Sequence, residues 1–391
     1  MTRNIFDENV DRFGTNSFKW EMTKELFGED DLLPMWVADM DFRAPAAVTE
    51  AFQKRLDHGV YGYTFASDET YRVMQQWMQK RHQWPIEKSW ITLSPSVVSA
   101  MSTVIRAYTK PGDKVMLQSP VYAPFFEMIE KNDRVVVNSP LRLNMKGQYE
   151  IDFECFENRL KEGVKLFLLC SPHNPGGRVW TKEELLKIGE LCLRYNCLIF
   201  ADEIHSDLVL EPFKHIPIAS LEGLEKIVIT CISPSKTFNL AGLNVSSVII
   251  QEETLRNQFN EVQRKQGFFS VGTFGLIGVE AAYRHGEAWL EELLKYIKEN
   301  VNITKKYIEE NLPNVKLIEP QGTYLLWFDC RNLGLSDIEL KNRLLNKGKL
   351  ALEPGAKYGP GGEGFVRMNI ACPREILKEG LKRFKKALQT N

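Results

Sequence analysis

Four short polar clusters in the sequence stand beside apolar runs, and their residue types could do chemistry together. Three of them follow apolar runs that are typical of buried strands, and the fourth opens a helix. The clusters are residues 94–98 (SPSVV), 171–177 (SPHNPGG), 202–205 (DEIH) and 233–236 (SPSK). In an open parallel α/β sheet, ligands bind beyond the carboxyl ends of the strands. The sequence therefore predicts that these clusters form one site.

A lysine and an aspartate in these clusters have the chemistry that one cofactor requires. Lys236 is costly to bury at a strand end unless its charge is paired or removed, and a Schiff base with an aldehyde removes it. Asp202, at a neighbouring strand end, could keep a pyridine nitrogen protonated. Amides and hydroxyls at a helix N-terminus favour a phosphate. Together these groups indicate pyridoxal 5′-phosphate (PLP).

The composition argues against several other classes of function. The 391 residues carry 50 Lys and Arg against 51 Asp and Glu, so no positive surplus favours a nucleic-acid partner. No apolar run approaches the roughly 20 residues that span a bilayer, and the first 14 residues lack the apolar segment of a secretory signal. The seven cysteines are scattered and include no CxxC pair, which predicts buried reduced thiols. We expect a cytoplasmic enzyme without a membrane or metal site.

The elements that must position the clusters alternate between short apolar runs and amphipathic stretches. The runs predicted as strands are residues 115–117, 135–137, 165–170, 198–201, 227–231 and 245–250. Helices are predicted over residues 97–108 and 185–195, where apolar residues recur with a period near 3.6. Strands and helices that alternate in this way predict an α/β fold with a mostly parallel sheet.

The pattern changes after Tyr283. A long charged helix (residues 287–311) is followed by short strands and helices, which are predicted at residues 315–318, 323–328, 336–346, 365–371 and after Pro373. This part is typical of a smaller α+β domain. We therefore predict three parts: an N-terminal segment, residues 1–44, that packs with the small domain; a large domain, residues 45–285; and a small C-terminal domain, residues 286–391.

The chain resembles fold-type I PLP-dependent enzymes of the aspartate-aminotransferase superfamily, and in particular its branch of cystathionine β-lyases and cysteine C–S lyases. The motifs that carry the resemblance are residues 37–42 (VADMDF), 171–180 (SPHNPGGRVW), 202–207 (DEIHSD), 234–242 (PSKTFNLAG), 322–324 (GTY) and 367–373 (RMNIACP). Proteins of this branch often carry the name class I/II aminotransferase. The resemblance covers nearly the whole chain.

The resemblance implies a role for each residue around the cofactor ring. Lys236 would hold the cofactor and move the proton at Cα, and Asp202 would pair with the pyridinium nitrogen. Asn174 would hydrogen-bond the ring hydroxyl, and Tyr122 would stack on the ring. His205 stands where transaminases of the superfamily commonly have Tyr, and a structural histidine bonded to Asp or backbone explains it almost as well.

The resemblance also implies how the phosphate and the amino-acid substrate are bound. The phosphate ligands would be the amides of Val97 and Val98, the hydroxyls of Ser233 and Ser235, and Tyr63 of the partner subunit in a homodimer with shared active sites. The substrate would contact Arg367, Asn174 and Ala38, with Arg367 clamping the α-carboxylate. The Arg that transaminases often place eight residues after the lysine is Asn244 here, as in the lyase branch.

Three functions remain open at this point. The first is a cysteine-S-conjugate β-lyase of the cystathionine β-lyase type, which releases a thiol, pyruvate and ammonia. The second is a class I/II aminotransferase, which shares the first proton transfer. The third is a regulatory protein that binds a transcription factor, although no residue marks such a surface. The resemblance favours the lyase.

Overall fold

The computed structural model describes residues 4–389, so residues 1–3 and 390–391, at the ends of the predicted first and last parts, lie outside the described residues. The strands are β1 Leu33–Pro34, β2 Ile91–Ser94, β3 Lys114–Leu117, β4 Val135–Asn138, β5 Arg142–Leu143, β6 Tyr149–Glu150, β7 Leu166–Cys170, β8 Leu198–Asp202, β9 Val228–Ile232, β10 Ser246–Ile249, β11 Lys316–Leu317, β12 Leu325–Asp329, β13 Leu350–Ala351, β14 Glu353–Pro354 and β15 Phe365–Asn369. The helices are α1 Phe18–Glu21, α2 Thr23–Phe27, α3 Ala46–His58, α4 Asp68–His82, α5 Val97–Tyr108, α6 Pro124–Lys131, α7 Phe153–Lys161, α8 Lys182–Arg194, α9 Pro234–Thr237, α10 Glu253–Lys265, α11 Thr273–His285, α12 Glu287–Asn311, α13 Asp337–Asn342 and α14 Arg374–Leu388.

A seven-stranded sheet in the order β2-β10-β9-β8-β7-β3-β4 forms the centre of the larger part. The pairs from β4 to β9 are parallel, and only β10 runs against its two neighbours. The register places Cys170 beside Asp202, and Asp202 beside Cys231. Three of the polar clusters therefore leave the sheet side by side, and the predicted mostly parallel α/β sheet is confirmed.

One strand of this sheet is missing from the sequence prediction. Strand β2 pairs antiparallel with β10, with Ser94 opposite Ser246, so β2 runs in the same direction as the parallel strands. Its carboxyl end thus reaches the same edge as the ends of β7, β8 and β9. Only four residues long, it carries a polar Thr92 among its apolar residues, which leaves a weak apolar signal.

The second sheet, in the order β11-β12-β15-β14, is antiparallel. The long helix is α12, with the bounds that its charge pattern predicts. The helix predicted over residues 336–346 ends as an α-helix at Asn342 and continues as a π-helix, Arg343–Lys347. In the N-terminal part, β1 pairs in parallel with β13. The division into three parts, with boundaries after residues 44 and 285, stays a prediction.

Two further features concern the helices and the cysteines. Among residues 4–389, no helix is both long and apolar enough to cross a bilayer. All seven cysteines are free, and six are buried as the sequence predicts, whereas Cys155 is only partly buried.

A buried ion-pair cluster joins residues 12–20 to the loop that contains Asp39 and Asp41. Lys19 Nζ lies 2.6 Å from Asp41 Oδ2, and both side chains are almost fully buried. Asp41 Oδ1 also accepts hydrogen bonds from Arg12 Nη1 and Trp20 Nε1, both at 2.9 Å. Arg12 continues the cluster to Asp39 at 2.8 Å. The loop that contains Asp39 and Asp41 is therefore held by charge as well as by packing.

Replacing Asp41 with asparagine should reveal how much this cluster stabilises the fold. Asp41→Asn leaves the buried Lys19 ammonium with one carboxylate nearby, that of Asp39, whose Oδ1 atom is 3.7 Å away. We expect the free energy of unfolding to fall by about 3–5 kcal/mol, the typical loss when one partner of a buried pair is removed. Urea unfolding measures it. The control is Asp30→Asn, whose ion pair with Lys24 is exposed and should matter by less than about 1 kcal/mol.

Candidate active site

A cavity of about 180 Å³ lies at the carboxyl edge of the seven-stranded sheet, and we call it the inner chamber. It brings together most of the residues that the sequence predicts for the cofactor and substrate. Those that line it are Ala38, Val97, Val98, Tyr122, Asn174, Asp202, His205, Ser233, Ser235 and Lys236. Their convergence follows from the strand register, since parallel strands deliver the loops after them to one edge.

Lys236 lies in the short helix α9, directly after β9. Ser233 caps this helix by accepting from the Ser235 amide at 3.1 Å, and Pro234 occupies its first turn. The Lys236 Nζ atom donates to the Ala38 carbonyl at 2.8 Å. Desolvation in the chamber lowers the pKa of Lys236 to about 8. A sizeable fraction of this amine is therefore neutral near physiological pH, which both nucleophilic attack and proton abstraction require.

Asp202 is the last residue of β8 and is buried in the floor of the inner chamber. Its Oδ1 atom accepts from the Ile204 amide at 3.2 Å. Burial raises the pKa of Asp202 to about 7, against an opposing effect of the Lys236 charge. A carboxylate in this condition would be stabilised by a cationic N–H donor placed against it.

His205 and Tyr122 form further walls of the inner chamber. Burial lowers the pKa of His205 to about 3, so its imidazole is neutral, and its Nδ1 atom is buried without a partner in the described part of the chain. The alternative to a cofactor contact is a purely structural histidine, which would hydrogen-bond to Asp or to the backbone. The Nδ1 atom of His205 makes no such bond to a described residue. Tyr122 is held in place by its amide, which donates to the Asn174 carbonyl at 3.1 Å.

Helix α5 points its N-terminus at the inner chamber. The Ser96 hydroxyl caps it by accepting from the Ser99 amide, so the amides of Val97 and Val98 remain at the chamber wall. A helix start of this kind favours an anion. The Ser233 hydroxyl, by contrast, donates to the Val245 carbonyl at 2.7 Å, so its proton has a partner within the protein.

A second cavity of about 200 Å³, the outer chamber, adjoins the inner one and shares Ala38, Tyr122 and Lys236 with it. Arg367, on β15, faces this outer chamber and is 3% exposed. Its guanidinium donates to Asn174 Oδ1 at 3.1 Å and to the Trp36 carbonyl at 2.7 Å.

The Arg367 guanidinium has neutral partners only. Its Nε atom is buried without a partner, and no carboxylate within the described residues pairs with it. A buried guanidinium without a counter-ion is a strong site for a ligand carboxylate, which can accept two parallel hydrogen bonds.

Tyr63 is the one predicted site residue that the structure does not bring to either chamber. It is fully exposed in the loop between α3 and α4. Conversely, no role is predicted from the sequence for Tyr324, Glu353 or Tyr358. Tyr324 lies in the GTY motif and donates to the Ala38 carbonyl at 3.0 Å. Glu353 and Tyr358 follow no recognisable motif, and no signal in the sequence marks them.

The groups of the inner chamber fit PLP. An amine of lowered pKa can bind an aldehyde, and the buried Asp202 carboxylate can pair with a pyridinium nitrogen. The neutral His205 lines the chamber, and the start of α5 can take a phosphate. These groups match the aldehyde, the pyridine nitrogen and the phosphate of the cofactor.

Comparisons with known proteins agree with this geometry. The sequence matches the family model "Aminotransferase class I and II" over residues 31–384. It is 50% identical over 385 residues to cystathionine beta-lyase PatB of Bacillus subtilis (strain 168), across 98% of this chain and 99% of that protein.

Solved structures show the same relationship. Cystalysin from Treponema denticola, whose crystal structure contains a PLP cofactor, aligns with a TM-score of 0.95 and 36% identity over 98% of both chains. The PLP-bound C–S lyase from Staphylococcus hominis aligns with a TM-score of 0.91 and 33% identity over 99% of both chains. The predicted fold and the predicted cofactor, PLP, are thereby confirmed. The chain belongs to the class I and II aminotransferase family, within the fold-type I enzymes that use PLP.

Proposed function

We propose that this protein is a PLP-dependent carbon–sulfur lyase that cleaves the Cβ–S bond of cysteine S-conjugates such as cystathionine. The observation that carries the proposal is the position of Lys236, which lines both a chamber that fits PLP and a chamber that contains Arg367, a buried guanidinium without a counter-ion among the described residues. The relatives at 50% and 33% identity, a cystathionine beta-lyase and a C–S lyase, indicate which bond is broken.

Around the cofactor ring, we assign each side chain the role that its contacts support. Asp202 pairs with the pyridinium nitrogen, because a buried carboxylate of raised pKa is stabilised by that cation. Tyr122 stacks on the ring, and the neutral His205 contacts it. Asn174 already accepts from Arg367 through Oδ1, so the group that it offers to the ring hydroxyl and the substrate is its NH₂.

The phosphate is held at the other end of the inner chamber. The amides of Val97 and Val98 are the main ligands, because they combine free donors with the positive end of α5. Ser235 adds a hydroxyl from α9, whereas Ser233 contributes mainly by capping that helix. Tyr63 completes the site from a second subunit. Asn244 lines the chamber where transaminases often have Arg, so this phosphate site is less cationic.

The chain's own residues then perform the reaction in a fixed order. Arg367 binds the α-carboxylate and so places the substrate Cα near Lys236. When bound, PLP supplies an electron-poor ring that delocalises the electron pair left on Cα. Lys236 Nζ takes the Cα proton, and the thiolate leaves Cβ with the Cβ–S bonding pair. The remaining 2-aminoacrylate hydrolyses to pyruvate and ammonia.

The two alternative functions have less support. An aminotransferase would return the proton to the cofactor instead of losing a thiolate. A protein named "putative aminotransferase", from Clostridium difficile 630, matches at 45% identity, whereas the relatives at 50% and 33% are named as lyases. Aspartate aminotransferases match at only 25% and 24% identity. Among the described residues, no surface feature supports binding to a transcription factor.

We further propose a cytoplasmic homodimer. Exposed apolar side chains cluster on the loop after α3 and on the segment before α11, namely Val60, Tyr61, Tyr63, Phe65 and Phe269. The two segments touch, because the Ser270 hydroxyl donates to the Thr64 carbonyl and the Thr64 and Thr273 hydroxyls bond at 2.7 Å. An apolar patch of this kind is typical of a subunit interface. The free thiols agree with a reducing compartment.

The assignment of the reaction is tested by its products. Purified holoenzyme with L-cystathionine should release homocysteine, pyruvate and ammonia in equal amounts without a keto acid. The reason is that a thiolate leaves Cβ far more readily than hydride or carbon would. Lys236→Ala should abolish the release and the borohydride-trappable cofactor. The result that would contradict the lyase is conversion of the cofactor to pyridoxamine phosphate, with turnover that depends on an added keto acid.

Replacing Arg367 tests how the substrate carboxylate is held. Arg367→Ala should lower kcat/KM for every amino-acid substrate by about 30- to several-thousand-fold while PLP stays bound, since losing one partner of a buried charged pair costs about 2–5 kcal/mol. Arg367→Lys should not restore activity, because an ammonium cannot form two parallel bonds. Arg264→Ala, at an exposed position of α10, is the control for loss of charge. A tenfold or smaller loss would place the carboxylate elsewhere.

The homodimer and the role of Tyr63 are tested together. Sedimentation equilibrium should give about twice the chain mass of 45.0 kDa, and an active monomer would contradict the proposal. Tyr63→Phe should weaken PLP retention by about 1.5–3 kcal/mol, the loss of one hydrogen bond to a charged group, without dissociating the dimer. Tyr61→Phe is the matched control, because the Tyr61 hydroxyl donates to Leu56 within the same chain.

A further inference from the structure

Three charged side chains besides Lys236 line the outer chamber. They are the buried Arg367 and, lying together, Glu353 and Lys357. Phe18 and Trp36 form an aromatic wall, with ring centroids 5.3 Å apart. An amino acid bound through Arg367 would direct its side chain into this cavity, so the chamber determines which groups on sulfur are accepted.

Glu353 and Lys357 form a close ion pair. Lys357 Nζ lies 2.9 Å from Glu353 Oε2 and 3.2 Å from Oε1. The Glu353 side chain is almost fully buried, whereas the Lys357 side chain is 51% exposed, so the lysine lies towards solvent and the carboxylate towards the cavity. The pair therefore presents one negative and one positive group along the chamber wall.

The pair also explains why no carboxylate of the described residues pairs with Arg367. Glu353 on β14 is the register partner of Arg367 on β15, the position from which a carboxylate could neutralise the guanidinium. Lys357 holds that carboxylate instead. The outer chamber thus contains both an arginine that is available to a ligand carboxylate and, beside it, an ion pair with no net charge.

We propose that the Glu353–Lys357 pair is the specificity determinant for the leaving group, and that it selects thiols that are themselves α-amino acids. This inference rests on the proposed lyase function. Lys357 binds the distal carboxylate and Glu353 binds the distal ammonium of a thioether that carries an amino acid on each side of sulfur. The wall of Phe18 and Trp36 covers the carbon atoms between them.

Other substituents on sulfur fit the outer chamber less well. A plain alkyl group would bring carbon against the buried Glu353 carboxylate without offering it a donor. A substituent with only a carboxylate could bind Lys357 but would meet the like charge of Glu353. A zwitterion satisfies both members of the pair at once, which is the complementarity that specificity requires.

The test compares two substrates that differ only at the distal end. For each enzyme form, kcat/KM is measured for L-cystathionine and for S-butyl-L-cysteine, which lacks the distal charges, by pyruvate release. The ratio of kcat/KM for L-cystathionine to kcat/KM for S-butyl-L-cysteine measures the preference for the distal amino acid. Lys357→Met should lower this ratio by about three- to tenfold, the modest effect expected of a half-exposed charge. Lys357→Arg should retain most of the ratio. Glu353→Gln should lower the ratio further, because the Glu353 carboxylate is more deeply buried than the Lys357 ammonium and is less screened by water.

Lys382→Met, at an exposed position of α14, is the control for loss of one positive charge. An unchanged ratio in Lys357→Met, whether both constants stay the same or fall together, would overturn the inference. Failure of the lyase proposal has a different result, since the unmodified holoenzyme would then release pyruvate from neither substrate. Glu353→Gln also covers the case in which Lys357→Met folds poorly.

Discussion

The constraint on which the site depends is the desolvation of one amine at the edge of a parallel sheet. Lys236 can have a pKa near 8 only because the surrounding strand ends and the loop at Ala38 exclude water. The helix that carries it is one turn long and has little stability of its own. Its position is therefore set by contacts on both sides of the lysine.

Those contacts come from a buried polar network. The hydroxyl of Thr237, the residue after the lysine, donates to Asp207 Oδ2 at 2.8 Å. Asp207 also accepts from Trp77 Nε1 at 3.1 Å and bonds to His82 Nε2 at 2.8 Å, both on α4. The network lowers the pKa of Asp207, against the effect of its burial. A fixed carboxylate thus holds the short helix, and the helix holds the amine.

The N-terminal segment closes the site from the other side. The carbonyls of Trp36 and Ala38 accept from Arg367 and Lys236, so the backbone of residues 36–38 connects these two functional side chains. Asn369 fixes the same stretch by donating to the Val37 and Asp39 carbonyls, at 2.5 Å each. The ion-pair cluster around Asp41 and these hydrogen bonds, rather than regular secondary structure, keep this stretch in place. Because the Trp36 carbonyl is a neutral acceptor, the Arg367 charge stays available to a ligand.

The sequence by itself determined six of the seven strands of the large sheet and the meeting of the polar clusters in the inner chamber. Runs such as residues 165–170 and 227–231 are apolar on both faces, and the polar residues Asp202 and Lys236 stand at strand ends, so local pattern and the rule for parallel sheets suffice to bring them together. Helix α12 was equally predictable, because its amphipathic period runs over many turns.

The tertiary structure alone decided the outer chamber. Arg367 has no counter-ion because Lys357 holds Glu353, and Ala38 accepts from Lys236 across 198 positions of sequence. Such facts depend on which distant residues meet and on which partner each buried charge obtains. No local period encodes that choice, since the free energy of a buried charge is set by the groups around it in space and not by its neighbours along the chain.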